Sequence, residues 1–166
     1  MKEWRVRGRR DGSSKIVELI VDAKSWAGAV SEAQSGAHQL KVRDAVRIDL
    51  EALAIGRLIT EHGWMSYAQH PWKSYRDNPI FTTKDFPTAV GPQMAVIRPI
   101  VPDNGMGQLW LVGEYISEGN NALVGTMAII SQDADDAEVF KHVDDFAARV
   151  TQRISETYAA RLLKVA

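Results

Sequence analysis

Glu3-Trp4-Arg5-Val6-Arg7-Gly8-Arg9, then Asp11-Gly12-Ser13, then Lys15-Ile16-Val17-Glu18-Leu19-Ile20-Val21-Asp22-Ala23 is the stretch that decides how the fold begins. The first run alternates strictly. Trp4, Val6 and Gly8 share one face and Arg5, Arg7 and Arg9 the other, which is the two-residue period of a half-buried strand. Asp11-Gly12-Ser13 supplies a turn, since glycine accepts the positive φ that tight hairpin loops need. The second run alternates again with Val17, Leu19 and Val21 inward, so the two runs form a β-hairpin.

Downstream, Ser25 is placed to N-cap a helix in which Trp26, Ala29, Val30 and Ala33 recur at helical spacing and Gly36 ends the run. Leu40, Val42, Val46, Ile48 and Leu50 read as a third strand, irregular around Asp44-Ala45. Residues 1–50 therefore read β-β-α-β. Asp49 is expected to cap a second helix with Leu53, Ala54, Leu58 and Ile59 on its apolar face, and Gly63, just after His62, to close it in a left-handed cap.

From Trp64 to Pro92 no period is sustained. This stretch holds four of the six prolines and six of the thirteen aromatic residues. Three strand-like runs follow, Met94–Val101, Leu109–Ser117 and Ala122–Ser131, separated by Pro102-Asp103-Asn104-Gly105 and Glu118-Gly119-Asn120-Asn121. They predict an antiparallel meander. Pro99 lacks an amide donor and should place the first of these strands at an edge or at a bulge. The chain then reads as a long helix from Asp133 to Leu163, about 45 Å at 1.5 Å per residue. Val139, Phe140, Val143, Phe146, Ala147, Val150, Ile154, Tyr158 and Leu162 make its apolar stripe.

The fold class is thus α+β: a β-β-α-β module, a helix, an aromatic and Pro-rich irregular segment, a three-stranded meander and a long final helix. We read residues 1–166 as a single domain, with the only candidate boundary at residue 50 (1–50 and 51–166). Its 166 residues include no cysteine. Disulfides, thiolate zinc sites and a cysteine nucleophile are therefore excluded. Met1-Lys2-Glu3-Trp4-Arg5 shows no apolar h-region and the apolar runs are too short to span a bilayer, so a cytoplasmic protein without membrane partners is expected.

The motifs that carry chemistry are few. Gly105-x-Gly107 sits between strands and is a turn, not a dinucleotide fingerprint. Glu61, His62 and His70 are the only close group of metal-capable side chains, and without a converging further ligand no metal site is expected. Glu114, amid apolar neighbours, is read as a sheet-rim carboxylate paired with Arg98. No cofactor is implied.

Two regions remain as candidate sites. The 64–92 segment is densest in recognition chemistry, and Trp72, Lys73, Tyr75, Arg76 and His70 are its candidate partner-binding residues. The competing reading makes Trp64, Trp72 and Phe81 plugs over the open sheet face. The basic row Arg5, Arg7, Arg9, Arg10 and Lys15 could instead follow a phosphate backbone, or serve as a charged edge strand that resists edge-to-edge pairing. Both faces of Leu109–Ile116 are mainly apolar and both must be covered, which points to a homo-oligomer, most simply a dimer.

The expected function is therefore a non-enzymatic protein-interaction protein: an adaptor, small chaperone, inhibitor or accessory factor. The alternatives are a nucleic-acid-binding accessory protein using the basic hairpin, and an enzyme or small-ligand binder using His70, Tyr75, Arg76 and Asp77 with Glu114.

Overall fold

The alternation at the start of the chain is realised as β1 (Lys2–Arg9), paired antiparallel with β2 (Ile16–Ala23) in unbroken register from Lys2 opposite Ala23 to Arg9 opposite Ile16. A computed structural model of the chain describes residues 1–66, 82–88, 91–102, 107–117 and 120–165, with side chains described except at 115–125 and 159–165. Trp4 and Val6 are fully buried. The Trp4 indole N–H donates to the Ala23 carbonyl at 3.1 Å, so its one polar atom is satisfied inside the core. Over this face lies α1 (Trp26–Gln34), whose N-cap Ser25 accepts the Gly28 amide at 3.1 Å, as the sequence requires. Ala29 and Ala33 complete a small core with Val21, Ala23 and Leu40.

β3 (Lys41–Arg47) returns antiparallel to the other side of β1, giving a three-stranded sheet in the order β2-β1-β3. The register shifts between Arg7 and Gly8. A Cβ on Gly8 would lie 2.4 Å from the Lys41 carbonyl oxygen, so the close approach of the two backbones excludes any side chain there.

α2 (Ile48–His62) starts directly after β3. Asp49 does not cap it, as the sequence had suggested. Arg47 holds the cap position without a side-chain cap bond, and Asp49 lies in the first turn. The carboxylate is taken instead by the Arg47 guanidinium, at 2.5 and 3.0 Å. The far end is as expected: Gly63 is left-handed at φ 68°, and the Trp64 amide reaches the Leu58 carbonyl at 3.2 Å.

The meander is larger than the sequence suggests. β4 (Met65–Ser66) and β5 (Thr82–Thr88) fall inside the stretch expected to be irregular. They join β6 (Gly91–Ile100), β7 (Gln108–Ser117) and β8 (Asn120–Ser131) in a five-stranded antiparallel sheet ordered β4-β5-β6-β7-β8. Pro87 faces Pro92 beyond the residues paired with β4 and β7, so neither missing amide interrupts those ladders. β6 is an interior strand and pairs with β7 without a bulge, contrary to the edge or bulge expected from Pro99. The proline is accommodated because β5 pairs only as far as Ile97 among the described residues.

α3 (Asp136–Val165) begins three residues later than expected, because Ser131–Ala134 forms a turn closed by the Ala134 amide on the Ser131 carbonyl at 3.1 Å. Asp135 accepts the Glu138 amide at 2.8 Å and so caps the helix. Apart from half-buried Phe140, its stripe from Val139 to Tyr158 is buried with Leu50, Ala54 and Leu58 of α2 against Ala95, Ile97, Leu109, Leu111, Ala128 and Ile130 of the sheet. Among the described residues no helix is long and apolar enough to cross a membrane.

A buried polar node joins the two sheets. Gln132, 1% exposed, accepts the Arg47 amide at 2.6 Å and donates to the carbonyls of Ala45 and Gln108. The Arg47 guanidinium, equally buried, donates to the Ala134 carbonyl at 2.7 Å and to Asp136 at 3.2 Å, besides Asp49. Asp49 raises the affinity of Arg47 for its proton against the opposing effect of burial, and Arg47 in turn holds Asp49 below the usual carboxylate range.

Candidate functional site

The basic row emerges on the solvent face of the three-stranded sheet, with Trp4 and Val6 beneath it. β1 is the central strand, however, so these arginines do not guard an edge; the edges are β2 and β3. Arg7 forms a two-pronged bond with buried Asp44, 2.9 Å on each oxygen, and faces Glu18 across β2. Arg5 lies between Ile20 and Val46 and near Glu51, whose carboxyl is pushed up by burial and partly restored by Arg5. Arg9, Arg10 and Lys15 are exposed. Carboxylates at Glu3, Glu18, Asp22 and Asp44 interleave with the row, so it is a mixed lattice of charge and not a continuous positive track.

On the five-stranded sheet, the face turned away from α3 has a different chemistry. Met94 and Val96 are buried on it, Trp110 and Val112 are half-buried, and Met127 and Ile129 are 44% and 45% exposed. Arg98 and Glu114 form the expected ion pair diagonally across β6 and β7. The pairing is as expected but the rim position is not, because β7 lies between β6 and β8.

A third cluster ties α2 to α3. Arg57 donates to both oxygens of Asp144 at 2.9 Å, and His62 Nε2 lies 2.7 Å from the same carboxylate. Arg57, then His62, hold the Asp144 carboxyl down at about 2. It is ionised at any ordinary pH and can only accept hydrogen bonds, so a general-acid role is closed to it. Beside this cluster, His62, Trp64, Lys84, Ala147, Thr151 and Gln152 line an open cavity of about 360 Å³. Lys84 donates to the His62 carbonyl at 2.6 Å, satisfying an orphan acceptor at the end of α2. Among the described residues no three metal-capable side chains converge, and the Glu61–His62–His70 group has only its first two members within them.

His70, Trp72, Lys73, Tyr75, Arg76 and Asp77 lie outside the described residues, as does Phe81. Trp64 is core: it is 2% exposed and packs edge-on against Phe86 with ring centroids 6.1 Å apart. The surface that sequence reasoning passed over is the outer row of β2, where Ile16 and Ile20 stay 42% and 57% exposed. The hairpin alternation already put both residues opposite the inward Val17, Leu19 and Val21. The signal was therefore present, but unread. The chain matches no known family model, no curated protein and no solved structure.

Proposed function

We propose that the chain is a non-enzymatic protein-interaction protein of the adaptor, small-chaperone, inhibitor or accessory-factor kind, working in the cytoplasm as a homo-oligomer, most simply a dimer. The observation that carries this reading is the apolar outer face of the five-stranded sheet. Met127 and Ile129 stand nearly half exposed beside Trp110 and Val112, and clustered aliphatic and aromatic surface of this kind gains most when a second surface covers it. Two copies facing each other there would bury all four side chains from both sides.

The nucleic-acid reading draws less support, since Arg7 is held by Asp44 and its neighbours alternate with carboxylates. A ligand-binding reading rests on the cavity beside His62 and Lys84, both of which already have protein partners.

Light scattering on a size-exclusion column tests the proposal. At tens of micromolar the chain should elute at twice its 18.4 kDa mass, and the Met127→Glu/Ile129→Lys double variant should elute as a folded monomer. A wild-type monomer under the same conditions overturns the oligomer.

A further inference from the structure

We propose that the free edge of β2 is a strand-addition site for an extended segment of another protein whose residues alternate between aliphatic and basic. The proposal rests on the interaction-protein reading but concerns a different surface from the Met127–Ile129 face.

Strand edges expose unpaired amides and carbonyls, and proteins blunt them with charge, bulges, shortness or cover. Among the described residues the edges are β2, β3, β4 and β8, and three are blunted. β3 carries exposed Lys41 and Arg43 and a register shift against β1. β4 is two residues long. Along β8 the Arg149 guanidinium reaches the Met127 carbonyl at 3.5 Å, and the register shifts at Gly113/Glu114.

Among the described residues β2 shows no bulge, shortness or cover, and its only charges are the acidic Glu18 and Asp22. Its eight residues, IVELIVDA, contain no proline, glycine or lysine and pair with β1 without a shift. Outside that pairing, none of its backbone groups bonds to another backbone group among the described residues.

The side chains along β2 specify the partner. On the inner side, Val17 and Leu19 are only half-buried at the margin of the small core, and an added strand would cover them. On the outer side the order is Ile16, Glu18, Ile20, Asp22, all exposed. Asp22 faces Glu3 across the hairpin, a like-charge pair. Glu18 faces Arg7, which is already bound to Asp44 on its other flank. The only charges of the row itself are therefore acidic, and one of them faces a like charge.

A strand whose Lys or Arg side chains lie along the Ile16–Glu18–Ile20–Asp22 row and whose aliphatics lie over Val17, Leu19 and Val21 complements both charge and surface. β1 already presents part of that pattern to the other side of β2, with Arg7 opposite Glu18 and Val6 opposite Leu19. Main-chain bonds would then give affinity and the alternating side chains specificity. A second copy of β2 fits less well, because it would bring two more carboxylates to the same row.

The probes are short synthetic peptides of alternating Val and Lys, of alternating Val and Glu, and a Val/Lys peptide N-methylated at alternate amides. They are titrated into the full chain while amide exchange is followed. The Val/Lys peptide should bind saturably and slow exchange in β2, and the other two should not. Ile20→Lys should keep the fold and oligomeric mass while weakening that binding by about tenfold or more, and Glu18→Lys/Asp22→Lys should transfer preference to the Val/Glu peptide. No slowing in β2 with the Val/Lys peptide overturns the site. Loss of the oligomer in Ile20→Lys overturns the occupant, because β2 would then be the seat of a second copy. A monomeric wild type that still binds the Val/Lys peptide removes the dimer and leaves the edge site standing.

Discussion

On the three-stranded sheet the solvent face is a lattice of Arg5, Arg7, Arg9, Glu18 and Asp44, whereas the five-stranded sheet turns Trp110, Val112, Met127 and Ile129 outward. Both sheets carry their most exposed aliphatics on an edge strand, Ile16 and Ile20 on β2 and Met127 and Ile129 on β8, but only the larger sheet continues that apolar surface inward, to Trp110 and Val112 of β7. Both sheets bury one side under helices, so the difference is not one of coverage. It shows that a sheet can offer apolar surface as an edge, where backbone bonding dominates, or as a face, where area dominates. Each sheet also has a glycine at its bulge, and those two glycines serve different ends. Gly8 admits a neighbouring backbone, while Gly113 leaves room for side chains: a Cβ there would meet Val150 at 3.0 Å, Thr126 at 3.2 Å and Phe146 at 3.4 Å.

The largest expected effect comes from testing that contrast at β1. Gly8→Ala should cost about 3 kcal/mol in chemical denaturation, because the obstructing atom is the Lys41 carbonyl and the paired strands must separate. Gly113→Ala should cost about 1 kcal/mol, since Val150 and Phe146 can adjust by small rotations. Equal costs, or a reversed order, would remove the distinction between the two bulges.

The smallest effect concerns the clasp between α2 and α3. The folded pKa of Asp144, about 2, lies below the ordinary value near 3.9 for an unfolded aspartate. The clasp therefore adds stability above about pH 4 and loses it as pH falls through about 2. The side chain is 36% exposed, so solvent screens the gain and it should be modest. In thermal unfolding, wild type should exceed Asp144→Asn at neutral pH, and the two midpoints should converge towards pH 2. Parallel curves down to that pH would show that Arg57 and His62 do not favour the ionised carboxylate in the folded chain.

Local signals in the sequence carried much of the architecture. The period of residues 3–9 and 15–23 defines the hairpin, Ser25 and Gly63 mark helix ends, and the stripe from Val139 to Tyr158 is the buried one. What escaped depends on contacts made at a distance. β5 has two adjacent buried threonines and a proline, so no alternation announces it; pairing with β6 makes it a strand. Alternation in β1 revealed its two faces but not that a third strand would flank it and make it central. Asp49 looks like a helix cap until Arg47 claims it. Of the candidate sites, the basic row was placed on its correct face, while its interleaving with Asp44 required knowing the β1–β3 register.

The node at Arg47 also sets a timetable. β1, α1 and β3 come from the first 47 residues, and they can assemble as soon as those residues leave the ribosome. Two residues later Asp49 emerges, the first of the partners described for the Arg47 guanidinium. Gln132, which accepts the Arg47 amide, is 85 residues later in the chain, a wait of roughly 4–17 s at ordinary synthesis rates. The early module must therefore stand with its last arginine half-satisfied until residues 132–136 emerge, and docking of that turn completes it. On ribosome-bound chains arrested before Gln132 emerges, Arg47→Ala should leave the protease resistance of the first three strands unchanged. In the finished chain it should lower that resistance, and an equal loss in both would mean that the arginine is needed from the start.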